Sequence, residues 1–386
     1  MNKLKQSKKS FNGKKITIVT PIFPPDVGGP ASYVFELGQR LKRTCQVGVV
    51  GFCEGHPVRM KNVEMALVNP KKYSFFGRQW RLRKNLKRVA ADADLMYVQG
   101  PVVVGVNALR FARKRGIPTI MKFVGDIAWE DASRRGKTGL SLEDWLKESK
   151  PDLKSGIIKK FQKWSFGAAD RILVPSLFLK RILTDYYEVP EEKIELNYNA
   201  FDGERSRRRP VRERAFKIMA AGRLVPHKNI DKILEALRKL PENYSLDVYG
   251  NGPERPRLES LVVNLGLKER VRFFGNVPQT ELLKAMEEHD LFVLYSSYEG
   301  LPHVVLEAFA SRCPVIASDI PGTNEVAIDG RSAVLAAPEN ADRLAEAIRN
   351  LSWDKKQREF LSNEAIRLLK NDFSWDAHID KFLSLV

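Results

Sequence analysis

Two glutamates stand eight residues apart, across the end of one predicted strand and the start of the following helix. The apolar run 291–295 predicts a buried strand, Gly300 permits a sharp turn after it, and Pro302 suits the first position of a helix. Glu299 therefore falls in the loop at the carboxyl end of the strand, and Glu307 falls in the helix. Carboxylates accept hydrogen bonds from hydroxyls, and the free N–H groups of a helix N-terminus attract phosphate. This pattern predicts a site for a ligand that carries both phosphate and sugar hydroxyls.

Two cations follow an earlier predicted strand in a similar way. The run 216–221 predicts a strand, Gly222 frees the backbone at its end, and a helix is expected from Ile230. Between them, Arg223 offers a planar fork for phosphate oxygens and Lys228 offers a compact charge. In so basic a protein they could simply be surface cations, but their place between strand and helix favours a diphosphate site.

A pair of glycines, Gly28 and Gly29, lies between a predicted strand at 16–20 and a predicted helix at 31–42. Glycines at such a turn let backbone N–H groups approach a ligand where a side chain would block them. The dinucleotide fingerprint G-x-G-x-x-G is absent, which argues against a dehydrogenase. The pair predicts a second phosphate-approaching loop.

Asp126 follows Gly125 at the end of a strand predicted at 119–124. It is either a polar group of the binding site or the cap of the next helix, and the sequence leaves both interpretations open. We include it among the catalytic candidates.

No group of residues has the spacing of a metal site. The D-x-D pattern at 92–94 precedes a strand instead of ending one, and Cys45, Cys53 and Cys313 lack metal-ligand spacing. Such cysteines are typical of reduced thiols, so a cytoplasmic protein is expected. Residues 1–15 are expected to form a basic tail and not a secretory signal, and no apolar run is long enough to span a bilayer.

The length and charge of the chain limit its class. A chain of 386 residues exceeds one ordinary core, so two domains are expected. The net charge of +18 implies an acidic partner, which could be a phosphorylated ligand, an anionic membrane surface or nucleic acid. Nucleic acid is the weaker choice, because no helix-turn-helix, RNA-recognition or zinc-finger pattern is visible.

The positions of the predicted elements indicate two doubly wound parallel sheets. Strands and helices alternate through both halves of the chain, which is typical of α/β domains. A charged segment with Pro and Gly at 202–214 predicts a linker. We therefore expect domains at 1–204 and 205–370, and a closing segment at 371–386. Further strands are predicted at 46–52, 95–99, 171–175, 193–197, 245–249, 271–274 and 314–318.

A strongly basic helix is predicted at 78–88, with Phe75, Phe76 and Trp80 beside it. Such a helix is usually a solvated face, but basic amphipathic helices also dock on anionic lipid. We keep both interpretations, and peripheral association with the inner membrane face is a hypothesis. An amphipathic insertion at 127–155 could select an acceptor.

Three motifs in this order resemble family 4 of the retaining glycosyltransferases, which have the GT-B fold. They are the Gly28–Gly29 pair, the G-R…K motif of Gly222 to Lys228, and the E-x7-E motif of Glu299 to Glu307. The resemblance covers nearly the whole chain. It implies two Rossmann-like domains, with the donor bound by the C-terminal domain and the acceptor by the N-terminal domain, and a last helix that returns to the first domain.

The resemblance also implies roles for particular residues. The diphosphate of a nucleotide sugar would be held by Arg223 and Lys228, and the sugar hydroxyls by Glu299. The ribose would contact Glu307. Backbone atoms would supply further contacts at Gly28 and Gly29 for the phosphates, at Gly300 and Leu301 for the sugar, and near Gly275 and Val277 for the base.

The function that the resemblance implies is transfer of a hexose-type sugar from a UDP- or GDP-sugar to a lipid-linked or glycan acceptor in cell-envelope polysaccharide or glycolipid synthesis. The reaction would retain configuration and need no metal or other cofactor. The alternative is a non-catalytic protein of the same fold that binds sugar nucleotides or polyanions. Relatives often carry a histidine near the position of Gly125, and this chain does not.

Overall fold

A computed structural model describes residues 13–26, 28–148, 150–202, 215–338 and 340–385. The chain forms two compact units. The first unit comprises Met1–Thr138, Glu143–Asn197 and Asp376–Val386, and the second comprises Gly139–Leu142 and Tyr198–Trp375. Residues 1–12 of the predicted basic tail and residues 203–214 of the predicted linker lie outside the described residues.

The first unit contains a parallel sheet of seven strands. The strands are β1 (Lys15–Thr20), β2 (Gln46–Phe52), β3 (Glu64–Val68), β4 (Leu95–Gln99), β5 (Thr119–Lys122), β6 (Arg171–Val174) and β7 (Ile194–Leu196). Their order is β3-β2-β1-β4-β5-β6-β7, and every pairing is parallel. The strands between the two edges are almost wholly buried, as strands covered by helices on both faces must be.

Helices connect these strands. They are α1 (Gly29–Leu41), α2 (Phe75–Val89), α3 (Gly105–Arg115), α4 (Ile127–Arg134), α5 (Leu142–Glu148), α6 (Leu153–Ala168) and α7 (Leu177–Tyr187). The last helix, α14 (Trp375–Ser384), enters this unit from Asp376 onward. Within the described ranges, no helix is both long and apolar enough to cross a membrane.

The second unit contains a parallel sheet of six strands. The strands are β8 (Phe216–Ala221), β9 (Tyr244–Tyr249), β10 (Val271–Gly275), β11 (Leu291–Leu294), β12 (Val315–Ser318) and β13 (Val334–Ala336), in the order β10-β9-β8-β11-β12-β13. The helices are α8 (Ile230–Arg238), α9 (Arg255–Asn264), α10 (Gln279–Glu288), α11 (His303–Ala310), α12 (Ala341–Trp353) and α13 (Lys355–Asp372).

Both faces of this second sheet are covered, and β8 shows why. Its side chains alternate between the faces. Ile218 and Ala220 join one buried apolar cluster, whereas Met219 and Ala221 join another. β11 divides its side chains between the same two clusters. A continuous apolar run therefore suits each of these strands, because neither face meets water.

The loops that carry the candidate residues leave the carboxyl ends of neighbouring strands. β8 lies between β9 and β11, and β12 follows β11. The loops 222–229, 250–254, 295–302 and 319–325 start at the ends of β8, β9, β11 and β12, respectively. Parallel strands bring such loops to one edge of the sheet, which is where open α/β sheets bind ligands.

The two-sheet α/β architecture confirms the predicted fold class. Three local predictions were wrong. The edge strand β3 was missed, because only Ala66 and Val68 of its five residues are buried, so the run lacks the pattern of a core strand. The edge strand β13 was also missed, because it has three residues and only Ala336 is buried. Pro302 is not the first helical residue but the N-cap of α11, since its ψ of 102° is extended and the helix starts at His303.

Candidate active site

A buried ion pair joins the two predicted motifs of the second unit. The ammonium group of Lys228 donates a hydrogen bond to Glu299 Oε1. Ser296 Oγ donates to the same oxygen at 2.6 Å. Glu299 is only 8% exposed, and Lys228 is half-buried. The structure thus brings together a cation from the loop after β8 and a carboxylate from the loop after β11.

Backbone contacts hold these two loops against each other. Ser297 N donates to the carbonyl of His227 at 2.8 Å. Lys228 is the residue after His227, so this bond places its backbone beside the Glu299 loop. Burial and the neighbouring cations Lys228 and Arg223 lower the pKa of His227 to about 4, which keeps its ring neutral at physiological pH. His227 was not among the predicted site residues, although it lies between the two predicted cations.

Gly322 closes the Glu299 loop from the other side. Its φ is +82°, a conformation that suits glycine. A Cβ at this position would lie 2.3 Å from the carbonyl oxygen of Glu299 and 2.8 Å from that of Gly300. The loop after β12 therefore fits against the Glu299 loop only because residue 322 has no side chain.

Gly222 lies where the ends of three strands meet. Its N–H donates to the carbonyl of Tyr249 at 3.0 Å, and Gly250 N donates to the carbonyl of Gly275 at 2.7 Å. A Cβ on Gly250 would fall 1.9 Å from the Gly222 oxygen. Arg223, the next residue, is exposed. The backbone is therefore closely packed around Gly222, and the side chain of Arg223 lies exposed next to it.

Glu307 lies in the second turn of α11 and has a different partner from Glu299. Gln279 Nε2 donates to Glu307 Oε1 at 2.6 Å. Burial raises the pKa of Glu307 to about 7, and the hydrogen bond from Gln279 opposes this shift only in part. Gln279 starts α10 directly after the segment that holds Gly275 and Val277, so the predicted base and ribose residues share one neighbourhood.

Three backbone features shape the entry to α11. Gly300 and Leu301 are buried. The helix begins at His303, and its N-cap Pro302 makes no side-chain capping hydrogen bond. The carbonyl of Pro302 accepts from Val305 N at 3.1 Å, which closes the first turn.

Gly28 and Gly29 lie in the first unit, at the start of α1. Gly28 is the N-cap, with φ +155°, and its carbonyl accepts from Ala31 N at 2.9 Å. Gly29 is the first helical residue and is exposed. They follow β1, which pairs with β2 and β4. The predicted arrangement of strand, glycine turn and helix is therefore present.

A buried polar cluster lies beneath α1 that the sequence did not indicate. The ammonium group of Lys122 lies 3.6 Å from the centre of the Tyr33 ring, and burial lowers the pKa of Lys122 well below its usual value. Tyr33 Oη lies 2.8 Å from His378 Nε2 and accepts from Tyr97 Oη at 3.1 Å. This cluster could not be predicted from the sequence, because the partners of Lys122 are far from it along the chain.

Asp126 is the N-cap of α4 and is fully buried. Its Oδ1 accepts from Trp129 N at 2.9 Å, and its Oδ2 accepts from the hydroxyl of Tyr187. Burial raises the pKa of Asp126, and these hydrogen bonds oppose that shift. These are the contacts of a helix-capping residue. A catalytic role for Asp126 stays a prediction.

No cluster of three or more His, Cys, Asp and Glu side chains within the described part of the chain is arranged to hold a metal ion. The pattern at 92–94 lies at the start of β4, where Asp92 accepts from Lys15 Nζ at 2.7 Å. Cys45, Cys53 and Cys313 are free and buried.

Two family descriptions match adjoining parts of the chain. Glycosyl transferases group 1 matches residues 202–368, and Glycosyltransferase Family 4 matches residues 27–205. Together these two ranges include every candidate site residue.

Individual proteins resemble the chain to different extents. An uncharacterized glycosyltransferase of Methanocaldococcus jannaschii is 27% identical over 94% of this chain and 95% of its own length. A lipopolysaccharide core biosynthesis glycosyltransferase of Rhizobium meliloti is 36% identical over 44% of this chain and 49% of its own length, so the match spans about half of that relative. The solved structure of a sucrose-phosphate synthase from Thermosynechococcus elongatus has the same fold, with a TM-score of 0.79 and 19% identity over 96% of this chain and 98% of that one.

Proposed function

Because the chain belongs to the family 4 glycosyltransferases and has the GT-B fold, we propose that it moves a hexose-type sugar from a UDP- or GDP-sugar to a glycan or lipid-linked acceptor. The observation that carries this proposal is the contact of Lys228 with Glu299 at the carboxyl edge of the second sheet. It brings together a cation of a type suited to phosphate and a carboxylate of a type suited to hydroxyls. The rhizobial relative, named for lipopolysaccharide core biosynthesis, supports a cell-envelope acceptor.

The second unit binds the donor in this proposal. The exposed fork of Arg223 and the ammonium group of Lys228 hold the diphosphate, next to the backbone of Gly222. Glu299 accepts hydrogen bonds from the sugar hydroxyls, with the backbone of Gly300 and Leu301 beside it. Lys228 exchanges part of its contact with Glu299 for phosphate oxygens, so the carboxylate becomes available when the diphosphate arrives.

The nucleoside lies further along the same edge. Glu307 accepts from the ribose hydroxyls, and the segment with Gly275 and Val277 meets the base through backbone atoms. The contact between Gln279 and Glu307 links these two parts of the site. The first unit binds the acceptor, and Gly28 and Gly29 offer N–H groups to phosphate.

The chemistry proceeds by electrostatic stabilisation of the leaving group. The bond between the anomeric carbon and the diphosphate oxygen breaks, and negative charge develops on that oxygen beside Arg223 and Lys228. The acceptor hydroxyl attacks the anomeric carbon from the same face and loses its proton to the departing phosphate. This route retains configuration and requires neither a metal ion nor an enzyme nucleophile.

Transfer is tested with radiolabelled UDP- and GDP-sugars, membrane lipid extract as the acceptor source, and EDTA in the buffer. We expect labelled product together with free nucleoside diphosphate, and NMR of the product should show the donor's anomeric configuration. Arg223→Ala should lower the rate at least tenfold through loss of a charged hydrogen bond, whereas Arg238→Ala, which removes an exposed arginine of α8, should not change it. Binding of a nucleotide sugar without any transfer would favour the non-catalytic alternative, and an inverted product would overturn the proposed retention.

A further inference from the structure

Helix α2 and the turn before it form a basic surface on the first unit. We call the exposed residues of the segment 71–88 the α2 surface. Residues 69–89 contain eight lysines and arginines and no aspartate or glutamate. The opposite face of the helix is fixed to the sheet, because Leu82, Leu86 and Val89 are buried. The charge is therefore presented by a rigid element.

Large aromatic side chains stand among these charges. Phe76 is 82% exposed, and Phe75 and Trp80 are each 59% exposed. Cations lie near their rings, with the Arg78 guanidinium 5.2 Å from the centre of Phe75 and Lys84 Nζ 5.8 Å from the centre of Trp80. Exposed aromatics of this size are not needed for solubility or for the core, so they indicate a partner.

A pocket of about 730 Å³ adjoins the helix. It lies between α2 and the edge strand β3, and basic side chains on its wall include Lys72, Arg81, Lys84 and Arg88. Of these four, Arg88 has an acidic neighbour, since its Nε lies 4.0 Å from Glu64 Oε1. No ion pair within the described part of the chain involves Lys72, Arg81 or Lys84. The pocket therefore has positive charge that acidic side chains do not neutralise, and it has room for a phosphorylated head group.

We propose that the α2 surface docks on an anionic phospholipid bilayer, with the pocket over β3 receiving a lipid phosphate. Phe75, Phe76 and Trp80 enter the interfacial region, where aromatic rings are favoured. The surrounding cations meet the negative surface potential of the lipid. Charge alone would fit nucleic acid too, but three exposed aromatic rings beside a separate pocket with room for a phosphorylated head group fit a bilayer better.

This surface is separate from the residues that we assign to the donor site. Those residues, with the exception of Gly28 and Gly29, belong to the second unit, whereas α2 and β3 belong to the first. The inference therefore does not depend on which sugar is moved, or on whether one is moved.

The test is co-sedimentation of the whole protein with two kinds of vesicle at low salt. One is phosphatidylcholine alone and the other contains about 30% phosphatidylglycerol. We expect binding to the anionic vesicles only. Lys72→Gln/Arg81→Gln/Lys84→Gln should weaken it roughly 100-fold, since each cation near the surface contributes about a factor of five. The matched control Lys268→Gln/Lys284→Gln/Lys356→Gln removes three exposed cations of the second unit and should keep most of the affinity.

Two variants test the aromatic contact. Brominated lipid should quench tryptophan fluorescence of the bound protein, and Trp80→Phe should remove most of that quenching. Trp353→Phe, at a 78%-exposed position of α12, should leave it unchanged. The proposal is overturned if both triple variants lose binding equally, if quenching is the same in Trp80→Phe, or if the protein binds DNA or RNA but not anionic vesicles at equal salt.

Discussion

The raised pKa of Glu307 predicts that one substitution will stabilise the empty protein and weaken ligand binding. The carboxyl titrates at about 7 in the folded protein, against 4.5 when unperturbed. Between these values the folded state holds a proton that the unfolded state has lost, so stability falls as pH rises from about 4.5 to 7. Glu307→Gln has no such titration. The variant should therefore become progressively more stable than wild type over this range.

The size of the effect follows from the shift. About 2.5 pKa units correspond to roughly 3.4 kcal/mol at 1.36 kcal/mol per unit. Because Glu307 is only half-buried, water screens part of this energy, and we expect ~2 kcal/mol at pH 8. For a unit of this size that is about 4–8 °C in Tm.

Scanning calorimetry without nucleotide, at pH values from 5 to 8.5, measures this difference. Glu281→Gln, which neutralises an exposed acid of α10 in the same unit, is the control and should follow wild type. The same Glu307→Gln protein should bind its nucleotide sugar roughly tenfold to 100-fold more weakly at pH 8, because a hydrogen bond to a charged acceptor is lost. Equal pH dependence of Tm in wild type and Glu307→Gln, or a less stable variant at pH 8, would refute the reasoning.

Three further predictions concern the loops and the cap. Gly322→Ala should destabilise the second unit by more than ~2 kcal/mol in urea unfolding, because its Cβ would clash with backbone oxygens. The control is Gly330→Ala, where φ is +66° and the space is open; an equal loss of stability in both variants would show that only the backbone conformation matters. Asp126→Ala should cost the first unit about 2 kcal/mol in the same assay by removing a buried cap; normal stability with lost transfer would instead support a chemical part. Lys228→Met should lower Tm by leaving Glu299 without its cation, and the double variant Lys228→Met/Glu299→Gln should recover most of that loss. A double variant that melts as low as Lys228→Met, or lower, would show that the two residues are not coupled.

The fold could be predicted well where burial alone decides the structure. The strands at 46–52, 95–99 and 216–221 were predicted to the residue, because each is a short apolar run buried within a parallel sheet. The edge strand Glu64–Val68 was missed because its outer side chains face water. The helix was predicted to start at Pro302 and starts one residue later, because the ψ angle of Pro302 is extended and the local sequence does not determine it.

For the site, the sequence predicted which loops carry the candidate residues but not the contacts that the residues make. The order of motifs placed Lys228 and Glu299 in loops at one edge, but their direct contact spans 71 residues and depends on how two loops pack. The same holds for Gln279, which contacts Glu307 from another helix. For Asp126 the sequence left two interpretations open. The hydrogen bond from Trp129 N identifies Asp126 as the cap, and its other partner, Tyr187, lies 61 residues away in the sequence.

The central claim is that the second unit binds the diphosphate of a nucleotide sugar through Arg223 and Lys228. Isothermal titration with a panel of UDP- and GDP-sugars, in buffer with EDTA, tests it most directly. The account predicts saturable binding of at least one donor by wild type and by Arg238→Ala, and at least a tenfold weaker Kd for Arg223→Ala and Lys228→Met. Binding of equal strength in all four proteins, or of none of the donors to wild type, would contradict it.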